Sequence, residues 1–130
     1  MGLNEKRKVK ELQEVTFPAR TKELAEIAGT PISYEIDWAS LSDDGEALNF
    51  IDNISCHRVN MAMRVICADS TGKEAVKQAL KTIKLKNVKT LAEKRLAFAA
   101  GVLEMNCAYA LHLDGAFSDG EIRAVLERGL

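Results

Sequence analysis

KRLAFAAGVLEMNCAY, residues 94–109, is the stretch whose reading decides the fold. Before Gly101, Leu96, Phe98 and Ala100 alternate with Arg95, Ala97 and Ala99. After it, Leu103, Met105, Cys107 and Tyr109 alternate with Glu104, Asn106 and Ala108. Both halves show the period of a strand, and the phase resets at Gly101, as a tight hairpin turn requires. The competing reading is one Ala-rich helix over 91–113, with Ala92, Leu96, Ala99, Leu103 and Ala110 in a stripe. Composition favours that helix and the phase reset favours the hairpin. We read strands over 94–100 and 102–109.

Working outward, Ile83 and Leu85 alternate with Lys84 and Lys86, which gives a half-exposed strand over 82–88. Further upstream, Ile32, Tyr34, Ile36 and Trp38 alternate with Ser33, Glu35 and Asp37, a strand over 32–38. Helical periods fill the rest. Pro18 opens a helix over 19–28 and Gly29 closes it. Ser42, Asp43 and Asp44 open another over 46–54. Residues 55–68 fit a helix burying Val59, Ala62, Met63 and Ile66, or a strand burying Met61, Met63, Val65 and Cys67; unbranched Met and Ala favour the helix. Ser70-Thr71-Gly72 reads as a break before a helix over 73–80. Ser118 and Glu121 form a capping box ahead of a last amphipathic helix. Residues 1–15 are charged, with a thin apolar stripe, and read as a short helix or a frayed arm. The expected fold class is α+β: a small antiparallel sheet of about four strands, with the C-terminal hairpin around Gly101 and helices on one face.

The chain has 130 residues, 47% of them hydrophobic, a composition that suits a single domain able to build its own core. No stretch reaches the length of a membrane span, and the charged N-terminus has no apolar signal core. Three widely spaced cysteines, Cys56, Cys67 and Cys107, speak against a disulfide framework and for a reducing, cytoplasmic setting. A net charge of −1 hides a separation. Residues 35–52 carry Glu35, Asp37, Asp43, Asp44, Glu46 and Asp52 and no base. Residues 81–95 carry Lys81, Lys84, Lys86, Lys89, Lys94 and Arg95 against the single acid Glu93. Such blocks either meet each other, within or between subunits, or face a charged ligand.

The chemistry-bearing residues are few. KELAEIAGTPIS, residues 22–33, is similar to the first helix and turn of a helix-turn-helix, but the following positions are β-prone and acidic. Cys56 and His57 are adjacent and point apart, and no cysteine pair has zinc spacing, so no metal site is expected. Asp43 and Asp44 suit helix capping better than a cation. No phosphate loop, serine elbow or metalloprotease signature is present, and no cofactor is expected. The leading reading is therefore a non-catalytic binding or assembly protein, a homodimer with opposed acidic and basic surfaces or a binder of another protein. One alternative is a small-ligand enzyme or sensor with a pocket near Asp37, Trp38, Cys56 and His57. A further alternative is nucleic-acid binding through 81–95, where Lys84, Lys86 and Lys89 would track phosphates. The candidate binding residues are thus Asp37, Trp38, Asp43, Asp44, Cys56, His57, Lys84, Lys86 and Lys89.

Overall fold

The computed structural model describes residues 2–130. Helix α1, Leu3–Glu11, runs through a π turn, Leu12–Thr16, into α2, Phe17–Ala28. Strand β1, Ser33–Ile36, and a 3-10 turn, Trp38–Leu41, lead to α3, Gly45–Ile51. A second π turn, Asp52–Cys56, joins α3 to α4, His57–Ile66, and α5 follows as Ser70–Ala79. Strand β2, Thr82–Asn87, precedes the hairpin of β3, Arg95–Ala99, and β4, Val102–Cys107. The 3-10 segment Tyr109–Gly115 and helix α6, Asp119–Gly129, complete the described chain.

The mixed α+β class and the hairpin at Gly101 are as expected. Ala99 pairs with Val102, so Ala100 and Gly101 form a two-residue turn, with φ of 52° and 82°. Positive φ at both central residues matches the twist of the flanking strands. The antiparallel sheet is corrected. The strand order is β1-β2-β4-β3, and only β3 and β4 are antiparallel; β1 pairs parallel with β2, and β2 with β4. Three helices separate β1 from β2, and a helical crossover is what a parallel pair needs. β4 takes an inner place because its inward residues Leu103, Met105 and Cys107 are all apolar and fully buried.

One face of the sheet carries every helix. Ile83 and Leu85 of β2 pack there with Leu24, Leu48, Ile51, Val59, Met63, Val76, Ile122 and Leu126. The other face is uncovered, with Lys84 and Lys86 exposed. The helical reading of 55–68 holds, and Val59, Ala62, Met63 and Ile66 are buried as expected.

Three local expectations change. Pro18 does lie in the first turn of α2, but that helix does not begin afresh there. It follows a π turn in which the Phe17 N–H bonds the Leu12 carbonyl five residues back, and Leu12 is buried. A straight α-helix would drive the proline ring against the carbonyl four residues earlier, and the wider turn lies where that conflict arises. Residues 70–72 are not a break: Asp69 caps α5 through the Gly72 N–H at 2.7 Å. Gly72 is needed there because a Cβ would sit 1.7 Å from the Ile66 carbonyl oxygen. The helix-turn-helix likeness ends at Gly29, whose φ of 70° stops α2, and a strand follows instead of a second helix.

Candidate binding edge and groove

Parallel pairing of β1 with β2 lays the acidic run beside the basic run. Glu35 lies opposite Lys84 in register, and their charged groups are 3.8 Å apart. Asp44 caps α3 through the Ala47 N–H at 3.0 Å. Its other oxygen accepts from Lys89 at 2.8 Å and from the Asn87 amide at 3.0 Å. Burial pushes the Asp44 carboxyl upward, but Lys89, the Ala47 N–H and Asn87 outweigh it and leave the group below its ordinary value. Glu104 on β4 meets Arg95 on β3 at 3.3 Å. Two pairs, Glu35 with Lys84 and Asp44 with Lys89, thus join the acidic run to the basic run within one chain.

The candidate residues are scattered. Asp37 lies on the uncovered face, where Glu35, Asp37, Lys84, Lys86, Glu104 and Asn106 line a shallow concavity of about 400 Å³. Trp38 is half-buried against Phe17, ring centroids 5.6 Å apart. Asp43 occupies the turn before α3 with φ of 60°. His57 is half-buried at the start of α4, whereas Cys56 is fully buried among the helices. The expected pocket near Asp37, Trp38, Cys56 and His57 is not assembled, because Asp37 and Cys56 belong to opposite layers. Burial also raises the Cys56 and Cys67 thiols, and raises Cys107 to about 11, so all three stay protonated near neutral pH.

A different constellation surrounds β1. Ser33 and Asp37 donate their N–H groups to the Lys81 and Leu85 carbonyls of the β2 side, at 3.1 and 2.9 Å. In a parallel ladder alternate residues face opposite edges, so Tyr34 and Ile36 turn their N–H and C=O groups outward. Among the described residues no strand lies on that side and neither amide has a partner. Along this free edge runs a mainly apolar groove of about 520 Å³ between the long N-terminal helix and β1. Phe17, Pro18 and Ala25 form its helix wall; Pro31, Ile32 and Tyr34 form its strand wall.

The floor of the groove is pinned by a polar network that sequence reasoning missed. The Tyr34 hydroxyl donates to Asn60 Oδ1 at 2.7 Å, and Asn60 Nδ2 donates to Glu23 at 2.7 Å and to the Arg20 carbonyl at 3.2 Å. Arg20 grips Asp52 with two hydrogen bonds, at 2.8 and 3.1 Å, and reaches Glu23 at 3.2 Å. These bonds to Asp52 strengthen the protonated guanidinium, and the Asn60 amide, with Arg20, holds the Glu23 carboxyl low. Burial pushes the Tyr34 phenol well above its usual range. The signals were present but weak: Asn60 falls on the apolar stripe of its helix, and Arg20 and Glu23 are three apart on theirs. The second π turn serves the same anchoring. It aims Asp52 at Arg20, and Ser55 at the Tyr109 hydroxyl, 2.6 Å away in the core.

Tyr34 is thus fixed from behind while its main chain stays open in front, an arrangement suited to holding another extended chain. Comparison with protein-family models, with curated proteins and with solved structures finds no match for this chain.

Proposed function

We propose that the protein is a non-catalytic binding or assembly protein that takes an extended segment of another polypeptide along the outer edge of β1. The observation that carries this reading is the coincidence of two features. The outward main-chain groups of Tyr34 and Ile36 have no partner among the described residues, and an apolar groove opens beside Tyr34. In strand addition the main-chain hydrogen bonds supply affinity, and grooves for alternate side chains supply selectivity. A second copy of the chain is one source of such a segment, although Glu35 and Asp44 of the acidic run already pair with Lys84 and Lys89 of the same chain. A cytoplasmic setting belongs to the same reading, because three buried thiols suit a reducing compartment. The nucleic-acid alternative is weakened by the carboxylate partners of Lys84 and Lys89.

Selection from a library of displayed extended peptides tests the proposal, read out by hydrogen exchange at the Tyr34 and Ile36 amides. Bound peptides should protect both amides. Ile36→Pro should abolish binding without unfolding the chain, since its N–H faces away from β2. Peptides that bind while leaving both amides unprotected, or that bind Ile36→Pro equally well, would sink the idea.

A further inference from the structure

The two edges of β1 display the same side chains, and the inner edge already has a partner. β2 reads Thr82-Ile83-Lys84-Leu85-Lys86-Asn87, apolar residues alternating with lysines. Ile83 lies beside Tyr34 and Leu85 beside Ile36 on the helix side; Lys84 lies beside Glu35 on the open side. Resting on the strand-addition reading above, we propose that the captured segment is an extended partner peptide that alternates apolar with basic residues, as β2 does.

Charge on the open side of β1 makes the first part of the case. Glu35 and Asp37 both line that side and both are exposed, Asp37 with one oxygen accepting from the Ser40 N–H at 3.1 Å. Glu35 meets Lys84 at 3.8 Å with its side chain still 58% exposed, so its carboxylate stays accessible to a second cation on the outer side. An incoming strand places its open-side residues beside these carboxylates. Lysine or arginine there is attracted, whereas an acidic residue meets a like charge at cross-strand distance. The groove makes the second part. Side chains on the opposite face of the incoming strand enter between α2 and β1, against Phe17, Pro18, Ala25 and Ile32. Those walls favour apolar groups and give a buried charge no carboxylate or cation partner except Lys22 at the rim. Alternation of the two kinds of residue follows from the strand period of 2.

The test titrates the full chain with three synthetic peptides that share one frame: Thr-Ile-Lys-Leu-Lys-Asn, the same peptide with both Lys replaced by Glu, and the same with both replaced by Ser. Amide shifts and exchange protection at Tyr34 and Ile36 report binding at this edge. The Lys peptide should bind tightest and the Glu peptide at least about tenfold more weakly. Salt should narrow that gap through screening. The double variant Glu35→Lys with Asp37→Lys should reverse the order, and the Ser peptide should bind it and the wild-type chain alike. Equal binding of all three peptides at the edge overturns the charge selection and leaves strand addition standing. Protection that grows with protein concentration alone makes a second copy the occupant and overturns this partner chemistry. If no peptide of any charge protects the two amides, strand addition itself falls, and this inference with it.

Discussion

β1 and β3 are the two edges of one sheet, and their surroundings differ. Beside β3 the concavities are smaller: one of about 330 Å³ has Lys94, Arg95, Glu121 and Arg128 on its walls, and one of about 440 Å³ at the hairpin end has Lys81. Lys94 lies 4.7 Å over the Phe117 ring and donates to the Asp114 carbonyl at 3.1 Å. The last turn of α6 presses so closely on β3 that a Cβ at Gly129 would come 2.5 Å from the Phe98 ring. Charged side chains and a tightly seated helix are ordinary ways of keeping an edge strand from pairing. β1 has neither. One lysine, Lys22, stands on its groove, and the groove walls are mostly apolar. The difference teaches that an edge can be guarded by charge or left open above a rigid support, and this molecule does one on each side.

The support behind β1 is the place to break the comparison most severely. Asp52→Ala removes two of the three side-chain hydrogen bonds that the partly buried Arg20 makes, and should cost about 2–3 kcal/mol of unfolding free energy. Urea denaturation measures it, and a loss below about 0.5 kcal/mol would show that the network does not hold the edge. Acid adds a second reading of the same support. Glu23 is held below its ordinary value, chiefly by the Asn60 amide. Its contribution is therefore present above the unfolded-state value and lost as pH falls through the lower folded-state value. In Asn60→Leu that part of the acid sensitivity should shrink in a pH series of melts.

On the guarded side, Gly129→Ala should lift the end of α6 from Phe98 and cost about 1 kcal/mol, with faster exchange confined to β3 and the last helical turn. An unchanged melt would mean that the helix end yields freely. The hairpin joining β3 to β4 offers the reverse sign. Ala100 has φ of 52°, a conformation disfavoured for alanine, so Ala100→Asn should stabilise by about 0.5–1 kcal/mol. The smallest effect belongs to the open face. Lys84→Ala removes an exposed ion pair and should change stability by less than about 0.5 kcal/mol, by chemical denaturation.

How far the sequence could be read depended on the range of the interactions involved. The hairpin was legible because its signal is local: a phase reset at Gly101 between two alternating runs. So were the capping box at Ser118 and Glu121 and the C-terminal glycine of α2. The candidate site was much less legible. Alternation groups Tyr34 with Ile32 and Ile36 on one face of its strand, but its bond to Asn60, and through it to Glu23, spans residues whose separation gives no periodic signal. Asp37, Lys84 and Lys86 were placed on one concavity by the sheet, while Cys56 went to the core and Asp44 with Lys89 to the end of α3.

By itself the sequence determined the four strands and the main helices to within a few residues, which face of each strand turns inward, and where the tight turn and the capping box of α6 fall, because periodicity and capping act between residues a few positions apart. Tertiary structure alone decided strand order, the parallel pairing of β1, β2 and β4, and the pairing of Glu35 with Lys84 and of Asp44 with Lys89. Alternation has the same period of 2 in parallel and antiparallel strands, so side-chain pattern carries no strand direction. Direction was set by the three helices that carry the chain from the end of β1 back to the start of β2, and that same crossover leaves the outer edge of β1 open.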